Sequence, residues 1–542
     1  MGSRVTLPGN RWLWTIVLLG AALRFFPIWF GLPYLRARPD EDAAVFRAIG
    51  MLGGDLNPHF FHWPSLTFYA FAALFAVASA ISRALPIELT LTEPDYFLLA
   101  RGLVAVAGTI TIVVQFTMSR RIADTTTGLL AALFLCVAIL HVRDSHFAMT
   151  DVLMTLLVLL SLALLVSATD RALQNPTNPA HARRWFAAAG LFGGLAASTK
   201  YSAAAVVASM GAAQVLMWAR AARAQGAISA LAPSLAFLST FGAGFLMATP
   251  YAVLDWPTFW TDLRFTMTHL AAGHGVDLGP GWIYHPTRAL PYGVGLSVFV
   301  AGIIGVAPFA RYYPRHAAIV GTFALALYAS LGSGRTVFFR YVMPLVPIVC
   351  LLAAVAVRHL APWMARRVGV PPRVMVVVLG GVVAGPALAS SVWLDVLLAK
   401  TDTRVLAERW LSEHLRPEDS IYDGGTTYAR LDVSRLQVHQ WHWDPRTRSF
   451  GDPEGRTPDW LVLHESPVSQ YAGTPFELRR LAEEHYARVA TFLATRRRPR
   501  SAVYDHQDAF FLPLSNFGTV IRPGPTISIY RRNPTPDHSG MN

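Results

Sequence analysis

Residues 66–81, Leu-Thr-Phe-Tyr-Ala-Phe-Ala-Ala-Leu-Phe-Ala-Val-Ala-Ser-Ala-Ile, decide how the rest of the chain is threaded. The run is apolar enough to enter a bilayer, yet Trp63-Pro64 stands before it, Arg83 and Pro86 after it, and it is aromatic at one end. Outward from it lie apolar segments of membrane-helix character near 12–31, 97–118, 128–142, 151–168, 186–199, 202–219, 228–251, 293–310, 317–332, 341–357 and 374–394. If 66–81 does not cross, Arg120-Arg121, Arg183-Arg184, Arg220 with Arg223, Arg311 with Arg315 and the cluster Arg358, Arg366, Arg367, Arg373 all fall on the side of Arg4 and Arg11. That is the arrangement the preference of Lys and Arg for cytoplasmic loops requires. A crossing would move every one of them to the other side, so the charge pattern predicts a juxtamembrane or re-entrant segment.

Composition agrees with a membrane chain. Of 542 residues 53% are hydrophobic and only 15% charged, with mean hydropathy +0.39, where a soluble domain carries about 25% charged residues. A water-soluble enzyme, a disordered chain and a fibre are excluded. The net charge of +13 comes from basic residues interspersed between apolar runs, which read as topological anchors, so no nucleic acid is expected as partner. Cys136 and Cys350 are the only cysteines and both lie in apolar stretches, which leaves no disulfide framework and no thiolate metal cluster. The first apolar run, Arg11 to Gly31, is long enough to span and lacks a small-residue cleavage site, so no cleavable signal is expected. The absence of a visible repeat argues against a secondary transporter.

With this threading, the outer face receives 32–96, the links 143–150, 200–201 and 333–340, the loop 252–292, and everything after Asp395. The last 148 residues turn polar, with helical patterning in Thr403 to Leu415 and Pro475 to Ala494 and strand patterning in Trp460 to Leu463 and Thr526 to Tyr530. The expected fold is an all-α polytopic membrane domain of about eleven helices, 1–394, followed by a small extramembrane α/β domain, 395–542.

The outer links hold the chemistry. Asp40-Glu41-Asp42 follows the first span, and three adjacent carboxylates favour a cationic partner, a divalent ion, or use of one of them as a base. Arg101 lies a few residues inside a span, where it can snorkel to the headgroups or hold a phosphate. His141 to Asp151 packs Arg143, Asp144, Ser145, His146 and Asp151 into one link, more than the helix cap from Ser145 or Thr150 requires. Lys200 interrupts an apolar run beside Tyr201, and Arg335 and Arg340 with Tyr341 stand on the outer side, against the bias that removes cations there. His62 in the first loop and His269, His274, His285 and Arg288 in the loop after Tyr251 are possible ligands or substrate contacts. No i, i+4 His pairing supports a metal.

In order along the chain, Asp40-Glu41, Asn57-Pro58 to Pro64-Ser65, Arg101, Ser145-His146 to Thr150-Asp151, Thr199-Lys200-Tyr201, Thr249-Pro250-Tyr251 and Arg340-Tyr341 with Pro344 and Pro347 resemble the GT-C membrane glycosyltransferases. The resemblance is to the bacterial branch that includes protein O-mannosyltransferases and the lipid A aminoarabinose transferase. It implies a polyprenyl-phosphate-linked sugar as donor, transfer at the outer face of the plasma membrane, an unspecified protein, lipid or glycan acceptor, and Asp40 as the catalytic carboxylate. Where some members carry Lys-Pro-Pro, this chain has His62-Trp63-Pro64. The physical demands of such a reaction fit the same residues: Asp40, with Glu41 beside it, as base; Arg101, Lys200, Arg340 and Tyr341 around the phosphate; and Asp42, His62, Arg143, His146, Asp151, Tyr201 and His274 as orienting, acceptor or sugar contacts. A single displacement inverts the anomeric centre. Fixed cations make a metal unnecessary, with a divalent ion at Asp40, Glu41 and Asp42 as the alternative. A lipid transporter or flippase would use the same groove and cations without a base.

Overall fold

The computed structural model describes residues 9–84, 90–174, 179–450, 456–496 and 501–534, which leaves Arg4 and Pro86 outside. It divides into two compact units, one of Met1–Ile28 with Asp40–Trp393 and one of Trp29–Pro39 with Leu394–Asn542.

The first unit is a helix bundle whose long members run between two rims. The helix Glu93–Ile122 starts on a capping box, Thr92 with Asp95, and carries Arg101 near one end and Arg120-Arg121 at the other. From Arg101 to Arg121 it rises about 30 Å, the thickness of a bilayer's hydrocarbon core. The far rim is tied by ion pairs: Arg121 and His316 on Asp170, at 3.3 and 2.9 Å, and Arg358 on Asp124 at 2.8 Å. Arg121 and Arg358, two of the arginines the charge pattern groups, are engaged in these pairs. Where helices cross closely, small residues allow it. Pro179–Ala197 lies against Ala232–Ala248 through Gly190 and Gly194, where a Cβ would run into the carbonyl oxygens of Phe237 and Phe241.

Among the described residues seven helices are long and apolar enough to cross, or eight if Gly281–Val294 and Leu296–Tyr312, bent by 117°, form one broken span. The sequence pattern counts about eleven because it also includes shorter apolar helices, such as Gly9–Phe25 with 17 residues and Thr125–Val137 with 13. The apolar run 128–142 is divided by Ala138, whose ψ of 112° ends one helix before Ile139–Asp144 begins. The stretch that decides the threading is a single helix, Leu66–Ala84, one of the seven by length and composition. Its contacts reach Ser198 at its start and Tyr96 further along. Leu66 N donates to Ser198 O at 2.9 Å, while further along Phe75 packs on Tyr96 at 4.8 Å and Ser79 Oγ lies 3.2 Å from the Tyr96 hydroxyl, at the Arg101 end of the long helix.

The second unit is a five-stranded mixed sheet with helices. The strands β1 Ser420–Asp423, β2 His439–Gln440, β3 Trp460–Glu465, β4 Tyr486–Phe492 and β5 Thr526–Arg532 lie in the order β2-β1-β3-β5-β4. β1 is parallel to both neighbours; β5 is antiparallel to β3 and β4. Helix Thr403–His414 covers one face through Ala407 and Leu411, which meet Ile421, Val462 and Ile529. One expectation is corrected: the helix predicted over 475–494 ends at His485, and Tyr486–Phe492 is β4. Its backbone pairs with β5 from Tyr486↔Arg532 to Phe492↔Ile527, and that ladder overrides the local helical pattern. The unit also takes in Trp29–Pro39. Phe30 meets Phe510 edge-on at 6.4 Å, the Tyr34 hydroxyl donates to Arg430 O at 2.8 Å, Arg404 stacks on the Tyr34 ring at 4.5 Å, and fully buried Arg38 pairs with Asp508 at 2.7 Å.

Candidate active site

Asp40 opens the helix Glu41–Met51 in a left-handed conformation, φ 70°, ψ −12°, and its side chain makes no capping bond. Asp tolerates this region better than most residues, and the conformation costs of order 1–3 kcal/mol. The carboxylate is turned instead toward Arg340, Oδ2 to Nη2 3.1 Å, and its side chain remains 30% exposed. Arg340 belongs to a tight turn of helix, Phe339–Leu345, followed by Val346–Val368. Pro344 and Pro347 supply no amide hydrogens there, which keeps the segment out of regular α-helix. The guanidinium also lies over Phe338, 4.2 Å from the ring centre.

The next side chain, Tyr341, presents its ring to Lys200 Nζ at 4.4 Å. Lys200 sits at the extended break between Pro179–Ala197 and Tyr201–Ala205 and holds Asp151 Oδ1 at 2.6 Å. Burial draws its ammonium below the usual lysine range and nearby Arg340 adds to this, while Asp151 acts against both. Asp151 is 1% exposed, and its Oδ2 has no hydrogen-bond partner among the described residues. Asp40, Arg340, Tyr341, Lys200 and Asp151 thereby form one continuous line at the rim where Leu66 begins.

Glu41 and Arg101 are arranged differently. Both are fully buried in a two-pronged pair, Nε to Oε1 3.0 Å and Nη2 to Oε2 2.6 Å. Glu41 Oε1 also accepts from Ala148 N at 2.7 Å, and Arg101 donates to Ile28 O at 3.0 Å. The pair binds three segments together instead of presenting a base and a phosphate cation. The link 141–150 is buried throughout. Both nitrogens of His146 lie on main-chain carbonyls, Val142 O at 3.0 Å and Phe26 O at 2.9 Å; Arg143 pairs with its neighbour Asp144 at 2.6 Å. Arg24 closes the underside, donating to Leu135 O and Cys136 O at 3.1 Å and contacting His141 Nδ1 at 2.9 Å. These side chains are engaged in packing the link.

A second line leads away from Arg340. His274 lies 5.3 Å from Phe338 and 5.1 Å from His269; His269 stacks on Phe265 at 5.7 Å, and Phe265 on His62 at 4.5 Å. Phe60 follows at 4.6 Å, capped by the Arg47 guanidinium at 4.0 Å. Burial holds His62 and His269 below the usual histidine range; Arg47 adds to it at His62, opposed by Asp262, and His274 and His62 add to it at His269. Asp262 organises this loop, accepting from Phe61 N at 2.6 Å beside His62 at 3.6 Å, and the Tyr201 hydroxyl donates to Phe61 O at 2.8 Å. Asp42 accepts from Ala43 N at 3.0 Å. Asp262 and Phe265 are absent from the sequence reading, although the spacing of Asp262, Phe265 and His269 on one helical face signals a common role.

The three carboxylates proposed for a divalent ion do not converge, since Glu41 is committed to Arg101. Among the described residues no group of three or more His, Cys, Asp or Glu side chains is placed to hold a metal ion.

This bundle, with its small mixed sheet, has the fold of the GT-C membrane glycosyltransferases. The apo structure of the Archaeoglobus fulgidus oligosaccharyltransferase superposes with a TM-score of 0.53 at 12% identity, over 90% of this chain and 73% of that one. The same archaeal enzyme in complex with an inhibitory peptide and a dolichol-phosphate gives 0.52 at 12% identity, over 89% and 73%. ArnT from Cupriavidus metallidurans, in the apo state, gives 0.48 at 16% identity, over 95% and 97%. Residues 97–250 match the family profile described as dolichyl-phosphate-mannose-protein mannosyltransferase. No curated protein matches the chain in sequence. The chain is a multi-pass membrane protein, and the proteins it resembles in fold are membrane glycosyltransferases.

Proposed function

We propose that the chain transfers a sugar from a polyprenyl-phosphate carrier to an acceptor at the outer face of the plasma membrane. The observation that carries this reading is the line Asp40, Arg340, Tyr341, Lys200, Asp151, which puts a half-open carboxylate and two cations at one rim. The carrier's phosphate competes with Asp40 for Arg340, so donor binding bares the carboxylate. Asp40 then takes the proton of the acceptor hydroxyl or amine as that atom bonds to the anomeric carbon. The bond from the anomeric carbon to the phosphate oxygen breaks in the same step, inverting the centre, and the electrons leave on the lipid phosphate. Lys200 and Arg340 hold that developing anion in a largely dry setting where fixed charges act strongly. Asp151 orients Lys200, and the Arg101–Glu41 pair fixes the helix that Asp40 opens. The acceptor is unspecified, and the extramembrane unit is a candidate to select it.

Mass spectrometry of lipid co-purified with the wild type and with Asp40→Asn tests the reading. The wild type is expected to carry bare polyprenyl phosphate and the variant the sugar-loaded form, whose added mass names the sugar. Sugar-loaded lipid in both points to a translocator, and no phosphorylated isoprenoid in either overturns the assignment.

A further inference from the structure

The ring line from Phe338 to Phe60 lies beyond the cations that a lipid phosphate needs. It is continuous with them, because Phe338 carries the Arg340 guanidinium on its face. Along it, Phe338, His274, His269, Phe265, His62 and Phe60 make successive ring contacts of 4.5 to 5.7 Å. Core packing does not explain the outer part: Phe265 is 52% exposed, and the His62 side chain 36%. An exposed phenyl stacked between two imidazoles is a wall with alternating character. The ring faces offer apolar area, and the imidazole nitrogens offer hydrogen bonds at their edges.

We infer that this wall docks the acceptor, and that the acceptor is a saccharide of more than one sugar unit; the inference rests on the transferase reading. A pyranose presents a C–H face to a ring and hydroxyls at its perimeter, which is the pattern the wall complements. The donor sugar is confined by its phosphate to the neighbourhood of Arg340 and Lys200, so it reaches the Phe338 end alone. The remaining rings lie on a path that leads to the base, where an acceptor chain would present its terminal hydroxyl. An extended peptide would instead seek backbone partners, and the wall is built of side-chain rings. Burial shifts His62 and His269 toward their neutral forms, as a polyhydroxyl partner favours over a cationic surface. Phe265 is the specificity residue, since it is the exposed ring between two histidines.

Binding to the full-length protein in nanodiscs tests this with three probes: mannohexaose, a Ser/Thr-rich heptapeptide and undecaprenyl phosphate. Mannohexaose is expected to bind the wild type, and Phe265→Ala and His269→Ala each to weaken it about tenfold. Undecaprenyl phosphate is expected to bind all three proteins alike, which also shows that the variants are folded. The inference is overturned if mannohexaose does not bind the wild type, if it binds the variants equally well, or if the heptapeptide is the probe whose binding the variants lose. Failure of undecaprenyl phosphate to bind the wild type would instead overturn the transferase reading, leaving the saccharide arm to be judged by itself.

Discussion

Asp40 and Glu41 are neighbours in sequence, and each meets an arginine, yet the two pairs are opposite in kind. Glu41–Arg101 is closed: both side chains are fully buried, the contact is two-pronged, and a backbone amide fills a further site on the carboxylate. Asp40–Arg340 is open: the contact is 3.1 Å and the carboxylate keeps 30% of its surface. A buried, fully satisfied pair is hard to dismantle, because breaking it strands a charge away from water. A half-open pair can exchange partners with an incoming anion. Adjacent residues of the same chemical class are thereby divided between architecture and reaction.

The largest effect is expected at the closed pair. Arg101→Ala leaves Glu41 buried without its cation and should cost about 3–5 kcal/mol of stability. Glu41→Leu with Arg101→Met should recover most of it, read as the thermal midpoint in detergent or nanodiscs. If Arg101→Ala left the midpoint unchanged and abolished lipid-phosphate binding, the contrast would be reversed and Arg101 would belong to the reaction. At the open line, Lys200→Ala and Arg340→Ala should each weaken undecaprenyl phosphate binding about 10- to 100-fold, the worth of a charged hydrogen bond. The thermal midpoint should change little in Arg340→Ala, whose partner Asp40 is 30% exposed, and fall in Lys200→Ala, which strands the buried Asp151 carboxylate. Unaltered affinity in both would remove these cations from the site.

Glu408, in the second unit, supplies the smallest and most graded comparison. It accepts from Asp432 N at 2.7 Å, and burial pushes its carboxyl up to about 7. A carboxyl whose folded pKa is raised favours its neutral form, so its contribution to stability is complete below the ordinary carboxylate range and is lost as pH rises through about 7. The second unit should therefore become easier to proteolyse between pH 5 and 8, and Glu408→Gln should flatten that dependence. An identical slope in wild type and variant would assign the effect to another group.

Much of this was legible in the chain. Apolar runs and arginine placement give a polytopic bundle, and the cations Lys200 and Arg340, kept in links between apolar runs, point to the line that the structure assembles. Trp460 to Leu463 and Thr526 to Tyr530 are recognisable as strands from their β-branched and aromatic residues, and in the structure the strands run on to Glu465 and Arg532. What hydropathy cannot reveal is which polar groups have partners. Arg101 and Lys200 look alike as interfacial cations, and only tertiary packing distinguishes the one sealed against Glu41 from the one lying across Tyr341. His146 is ionisable and crowded in the sequence, the marks of a reactive residue, but two carbonyls 120 and four residues away lie on its ring nitrogens. The ring line leaves no mark in the sequence, because its members come from three distant stretches and stacking leaves no periodic trace across them.

The discontinuity of the second unit has a consequence for biosynthesis. Tyr34 and Arg38 are made early, whereas Arg404, Arg430 and Asp508, which they engage, come late in the chain. At the usual ribosomal pace of about 5–20 residues per second, the interval from Pro39 to Leu394 lasts roughly 20–70 s. Throughout that time the strip Trp29–Pro39 lacks the partners it meets in the finished unit. A chain that ended before Asp508 would lack the carboxylate that Arg38 meets in the finished unit.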